Sequence, residues 1–87
     1  MIETAGMVMV GISVKVRTAI GYGAHEDPVS FKIVDRTFLI TEILDRWYGA
    51  ENAYFRLLAD DGNLYMIKHD LNADEWELVQ MEVISGR

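Results

Sequence analysis

The residues most able to do chemistry stand in two short stretches, Asp45-Arg46-Trp47-Tyr48-Gly49 and His69-Asp70. The first sets a charge pair and two large aromatics just before a glycine turn. Trp, Tyr and Arg are the residue types that dominate binding hot spots, so Arg46, Trp47 and Tyr48 read as a candidate contact surface. Side chains alternate along a strand, which puts Arg46 and Tyr48 on one face and Asp45 and Trp47 on the other. One aromatic is then expected inside, and Trp47 is the choice, plugging an end of the core. In the second stretch His69 shares a strand face with Tyr65 and Ile67, which places it at the core boundary beside a carboxylate or carbonyl, with Asp70 next to it.

Catalytic sets are harder to assemble. A general base needs a nucleophile or water and an orienting group. Ser13, Ser30 and Ser85 sit in no nucleophile-elbow context. A metal-assisted hydrolase would need His25, His69, Asp45 and Asp70 to converge, and zinc usually takes three protein ligands in fixed geometry. Asp60-Asp61-Gly62-Asn63 is too short for a calcium loop and is explained as a turn. Gly21-Tyr22-Gly23 lacks the third glycine and the helix of a phosphate loop. The expectation is a protein that is not an enzyme and holds no cofactor or metal.

Composition narrows the partners. The chain has 87 residues, no cysteine and a formal net charge of −6. Without cysteine there is no disulfide, thiolate metal site or thiol nucleophile. Residues 1–24 carry Lys15 and Arg17 against Glu3, so the acidic surplus lies beyond them; Asp70, Asp74, Glu75, Glu77 and Glu82 follow with no intervening base. A nucleic-acid binder needs a basic stripe, and the sequence shows none, which argues against nucleic acid. An unknown protein partner fits better. The apolar run Ala5 to Val14 is half the length of a membrane-spanning helix and lacks signal-peptide flanks, so no membrane role and a cytoplasmic location are expected.

The elements that position these residues are short β-prone runs. Met7–Thr18 is β-branched, interrupted by Gly11, with Val14 and Val16 alternating against Lys15 and Arg17. A loop is expected from Gly21 through Pro28. Runs at 29–34 and 37–44, split by Asp35-Arg36, read as a tight hairpin. Further runs at 54–59, 64–69 and 76–84 are separated by turns at 49–52, 60–63 and 70–74. Connections this short make neighbouring strands antiparallel. The fold class is therefore all-β, a single domain over 1–87 with little or no helix: an antiparallel meander closing into a five- to six-stranded barrel or a two-layer sandwich. Phe31, Ile33, Ile43, Phe55, Leu57, Tyr65, Ile67, Trp76 and Leu78 are the expected core. Residues 1–11 form an apolar strand or edge segment, which invites a homodimer.

Residues 28–79 carry a further pattern. Pro28-Val29 with Phe31, Ile43-Leu44-Asp45-Arg46-Trp47-Tyr48-Gly49, Tyr54-Phe55-Arg56, Ala59-Asp60-Asp61-Gly62, Leu64-Tyr65, His69-Asp70 and Glu75-Trp76-Glu77-Leu78 follow in order. This stretch resembles a bacterial family of small all-β domains with no assigned activity. It is more faintly similar to small domains encoded near, or fused to, bacterial translesion polymerase components. The resemblance implies a small β-domain; the fainter likeness implies an accessory role in DNA repair, an alternative to the interaction-module reading. The expected function is a non-enzymatic interaction module using the surface around Arg46, Trp47 and Tyr48.

Overall fold

A computed structural model describes residues 7–20 and 26–84. Six strands run in chain order: β1 (Met7–Ile20), β2 (Glu26–Ile33), β3 (Arg36–Tyr48), β4 (Asn52–Ala59), β5 (Leu64–Asp70) and β6 (Glu75–Glu82). Each pairs antiparallel with its neighbour, and β1 with β6, so the sheet is a closed barrel. The described residues contain no helix, hence none long and apolar enough to cross a membrane.

Closure depends on the two long strands. Met7–Val14 of β1 pairs with β6, while Lys15–Ile20 pairs with β2. The first residues of β3, Arg36–Leu39, pair with β2, and Ile40–Tyr48 pairs with β4. Each long strand thus passes from one half of the barrel to the other. Gly11, at which the sequence suggested an interruption, lies in the register shift between Met9 and Ile12 and leaves β1 continuous. Closure gives every strand a partner on each side over part of its length, which lets so short a chain hide most of its backbone polar groups.

The core follows the alternation. Phe31, Phe55, Leu57, Ile67 and Leu78 are at most 2% exposed, and Tyr65 and Trp76 are also buried. Ile33 and Ile43 are half-buried against that cluster. Val14, Phe38, Ala53 and Ala59 join it as well. Phe31 stacks on Phe38 at 5.1 Å, and Tyr65 meets Phe31 edge-on at 5.0 Å, closing the barrel end opposite Tyr48.

One expectation is corrected at Pro28. The sequence reading ended its loop there, but β2 begins at Glu26 and Pro28 is fully buried opposite Thr18. A proline fits because β1 shifts register at that point and β2 has no β3 partner until Ser30. Gly21, Tyr22, Gly23, His25 and Ser85, and residues 1–6 of the N-terminal segment, lie outside the described residues.

Candidate functional site

Two irregularities in β3 decide which side chains reach the barrel mouth. Register shifts between Ile40 and Glu42, and between Ile43 and Asp45, leave Thr41 and Leu44 without paired partners. The first turns Ile43 inward opposite buried Leu57; the second sets Arg46 opposite Phe55 and Tyr48 opposite Ala53. Arg46 and Tyr48 therefore share the inner face. Asp45 lies outside, bonded through Oδ2 to Arg56 at 3.1 Å.

Trp47 is the correction here. It stands opposite Tyr54 on the outer face and is 47% exposed, so it plugs nothing. The indole that does sit in the core is Trp76. Arg46 bridges the mouth instead: its Nε and Nη2 donate to the two carboxylate oxygens of Asp27, each at 3.1 Å. That hydrogen bonding holds the guanidinium above its ordinary pKa. The pair ties β3 to β2 where no backbone ladder joins them.

Behind this bridge lies a cleft of about 290 Å³. Its apolar wall is an aromatic row. Tyr48 meets Phe55 edge-on at 6.0 Å, Phe55 packs on Trp76 at 5.7 Å, and the His69 imidazole stacks on Trp76 at 3.9 Å and 5°. Tyr48 is 44% exposed and forms the open end of the row. Glu26, Leu71 and Asp74 complete the rim, with Gly49 and Ala53 lining the gap between them.

Local hydrogen bonds hold both rim carboxylates. Glu26 Oε1 accepts from Thr18 Oγ1 at 3.1 Å. Asp74 Oδ1 lies 2.8 Å from His69 Nε2. The β5–β6 turn that delivers Asp74 is braced by Asp70, whose Oδ1 accepts from the Asn72 and Ala73 amides while its carbonyl accepts from Asp74 N at 2.7 Å. Asp74 adopts φ 57°, a left-handed conformation that Asp tolerates. Leu71 N donates to Glu51 O at 2.9 Å, fixing this turn against the β3–β4 turn.

Of the sequence-derived candidates, the structure brings Tyr48 and His69 into one cleft and places Arg46 beside it. Asp70 is a turn brace, and the carboxylate that partners His69 is Asp74, five residues on. Glu26, Phe55 and Asp74 were not singled out as site residues. The only advance signal was the short polar turn after His69, which must fold Asp74 back over it.

The hydrolase set does not assemble. Asp45 is outside with Arg56, Asp70 is occupied in its turn, and His25 lies outside the described residues. Among the described residues no three His, Asp or Glu side chains could hold a metal ion. Among the described residues no serine, threonine or cysteine lines the cleft. The arrangement suits binding: π faces, an imidazole and two carboxylates around a space the size of one side chain. In class, this is a closed six-stranded antiparallel barrel with an aromatic, acidic cleft at one end. No family model, curated protein or solved structure matches the chain.

Proposed function

We propose that the protein is a non-enzymatic interaction module whose barrel-end cleft receives a cationic side chain from a protein partner. One observation supports this above all: the ring of Tyr48 and the carboxylates of Glu26 and Asp74 face the same cleft. A cation over an aromatic face gains about 0.5–2 kcal/mol, more as water is displaced. Carboxylates on the rim add charge complementarity, and the net charge of −6 draws basic partners from a distance. The Arg46–Asp27 bridge keeps the mouth open at a fixed width, and exposed Trp47 extends the contact surface beyond it.

Titrating labelled protein with a lysine-rich peptide and a glutamate-rich control tests the reading. Amide shifts at Tyr48, Gly49 and His69 with the basic peptide alone are expected. Tyr48→Ala and Glu26→Gln should each weaken that binding several-fold. Equal response to both peptides, or unchanged affinity in folded variants, would overturn it.

A second copy of the chain is a further proposed partner. Along Met7–Val14 the ladder to β6 occupies one edge of β1, and pairing with β2 begins only at Lys15. Among the described residues the other edge of that segment has no strand partner, which suits edge-to-edge pairing. Light scattering at rising concentration should show a dimer; a monomeric mass throughout would exclude it.

A further inference from the structure

The outer face of the β1–β2–β3 ladder collects cations that are scattered in the sequence. The pairing registers give two rows: Lys15, Lys32 and Thr37 lie opposite one another in the first, and Arg17, Ser30 and Leu39 in the second. Lys15, Arg17 and Lys32 are all exposed. None of the three has an ion-pair partner among the described residues, whereas Arg46, Arg56 and Lys68 each reach a carboxylate. Lys15 directly opposite Lys32 is a like-charge pair, an arrangement that destabilises a sheet unless an anion neutralises it. An acidic protein has thus left three cations together on one face.

The shape of the face is equally specific. Ser30 is small and stands between longer neighbours, so a depression of about 130 Å³ opens there, lined by Lys15, Arg17, Lys32, Thr37 and Ser30 itself together with the apolar Val16 and Phe31 of the same two strands. Ser30 is only 6% exposed. Its hydroxyl has no hydrogen-bond partner among the described residues, yet no buried side-chain polar atom is left orphaned, so the hydroxyl opens into the depression. A hydroxyl floor with three cations around it is the donor set of an oxyanion site.

We propose that this depression binds the dianionic phosphoryl group of a phosphate monoester. Three positive charges offset a dianion and leave a smaller residual charge than with a carboxylate. The Arg17 fork suits two phosphate oxygens, and the Ser30 and Thr37 hydroxyls are donors for the remainder. A long polyanion is disfavoured, because its neighbouring phosphates would meet a protein of net charge −6. A single group senses only charges within a Debye length of about 8 Å at physiological salt. The same chemistry is offered by a free phosphate ester or by a phosphorylated side chain on a partner.

Amide shifts of Ser30, Lys32 and Thr37 should report the site at constant ionic strength. The probes are phosphoserine, a short phosphoserine peptide, its unphosphorylated twin and a short oligothymidylate. Both phosphorylated probes should bind. Comparable affinities point to free esters, and a tighter peptide points to a partner-borne group. Lys15→Gln with Lys32→Gln should weaken binding by roughly tenfold per lost cation, while the thermal midpoint of the ligand-free protein holds or rises because the repulsion is gone. Arg17→Gln is a second, independent variant with the same expected loss. Absence of any monoester response, an equal response to the unphosphorylated twin, tighter oligothymidylate binding, or unchanged affinity in the variants would overturn the proposal.

Discussion

The imidazole of His69 lies flat on the indole of Trp76, 3.9 Å between centroids, while its Nε2 meets Asp74 2.8 Å away. One residue therefore couples the core to the rim of the cleft. Stacking contributes about 0.5–1.5 kcal/mol and a hydrogen bond to a charged group about 1.5–3 kcal/mol, less at an exposed acceptor such as Asp74. His69→Ala should lower stability by about 1–3 kcal/mol in urea titrations. Asp74→Asn keeps the stack and should cost less than half as much. Equal losses would mean that the stack contributes little.

Trp47 and Trp76 make opposite predictions. Trp76 is buried among Phe55, Leu78 and Val14, so Trp76→Ala should cost about 3–5 kcal/mol. Trp47 is exposed on the outer face, and Trp47→Ala should change stability by about 0.5 kcal/mol or less. Chemical denaturation of the two variants checks both. A loss at Trp47 comparable to that at Trp76 would restore it as a structural plug.

The Arg46–Asp27 pair should matter locally more than globally. Both side chains are partly exposed, so screening limits its contribution to about 1 kcal/mol despite its two-pronged geometry. It is, however, the link between β2 and β3 at the mouth. Arg46→Ala should accelerate amide exchange over residues 26–29 while residues 64–70 keep their protection. Uniform acceleration across the barrel would contradict a local clamp.

Val34 sits in the β2–β3 hairpin at φ 57° and is 90% exposed. A β-branched residue in the left-handed region is strained, by about 1–3 kcal/mol. The two-residue turn between Ile33 and Arg36 demands it, since a twisted hairpin wants positive φ there. Val34→Gly should relieve the strain and stabilise the protein by about 1 kcal/mol in thermal or urea unfolding. A destabilised variant would show that Val34 makes contacts that outweigh its backbone.

Most of the fold was legible because short connections dictate antiparallel neighbours and large apolar residues alternate along the strands. The bulges were not legible, since Thr41 and Leu44 differ in no obvious way from paired residues. Trp47 was misplaced for the same reason: counting by twos from Ile43, an expected core residue, puts it inside, but the bulge between Ile43 and Asp45 reverses the alternation. The cleft was half visible. His69 and Tyr48 stood out as residue types, whereas Glu26, Phe55 and Asp74 come from two strands and a turn and meet only on closure. The basic face was half visible too: alternation puts Lys15 and Arg17 on one face of β1, but Lys32 joins them only through strand pairing.

Tyr65 gives the clearest pH dependence. Its ring is buried beneath Phe31 and Phe38, and its hydroxyl donates to Asp61, which also accepts from the Asn63 amide at 3.0 Å. Burial first, and then the hydrogen bond to a carboxylate, push its pKa well above the ordinary 10.0. The native state then keeps a proton that the unfolded chain loses above pH 10. Stability from this group is therefore complete below pH 10 and declines as pH rises through the native value. Tyr65→Phe should cost about 1–2 kcal/mol at neutral pH, through the lost hydrogen bond. The gap between the two proteins should narrow above pH 10, since phenylalanine has no proton to lose. Urea midpoints at pH 8 and pH 11 decide it: a gap that stays constant or widens would show that Tyr65 ionises as readily in the barrel as in the unfolded chain.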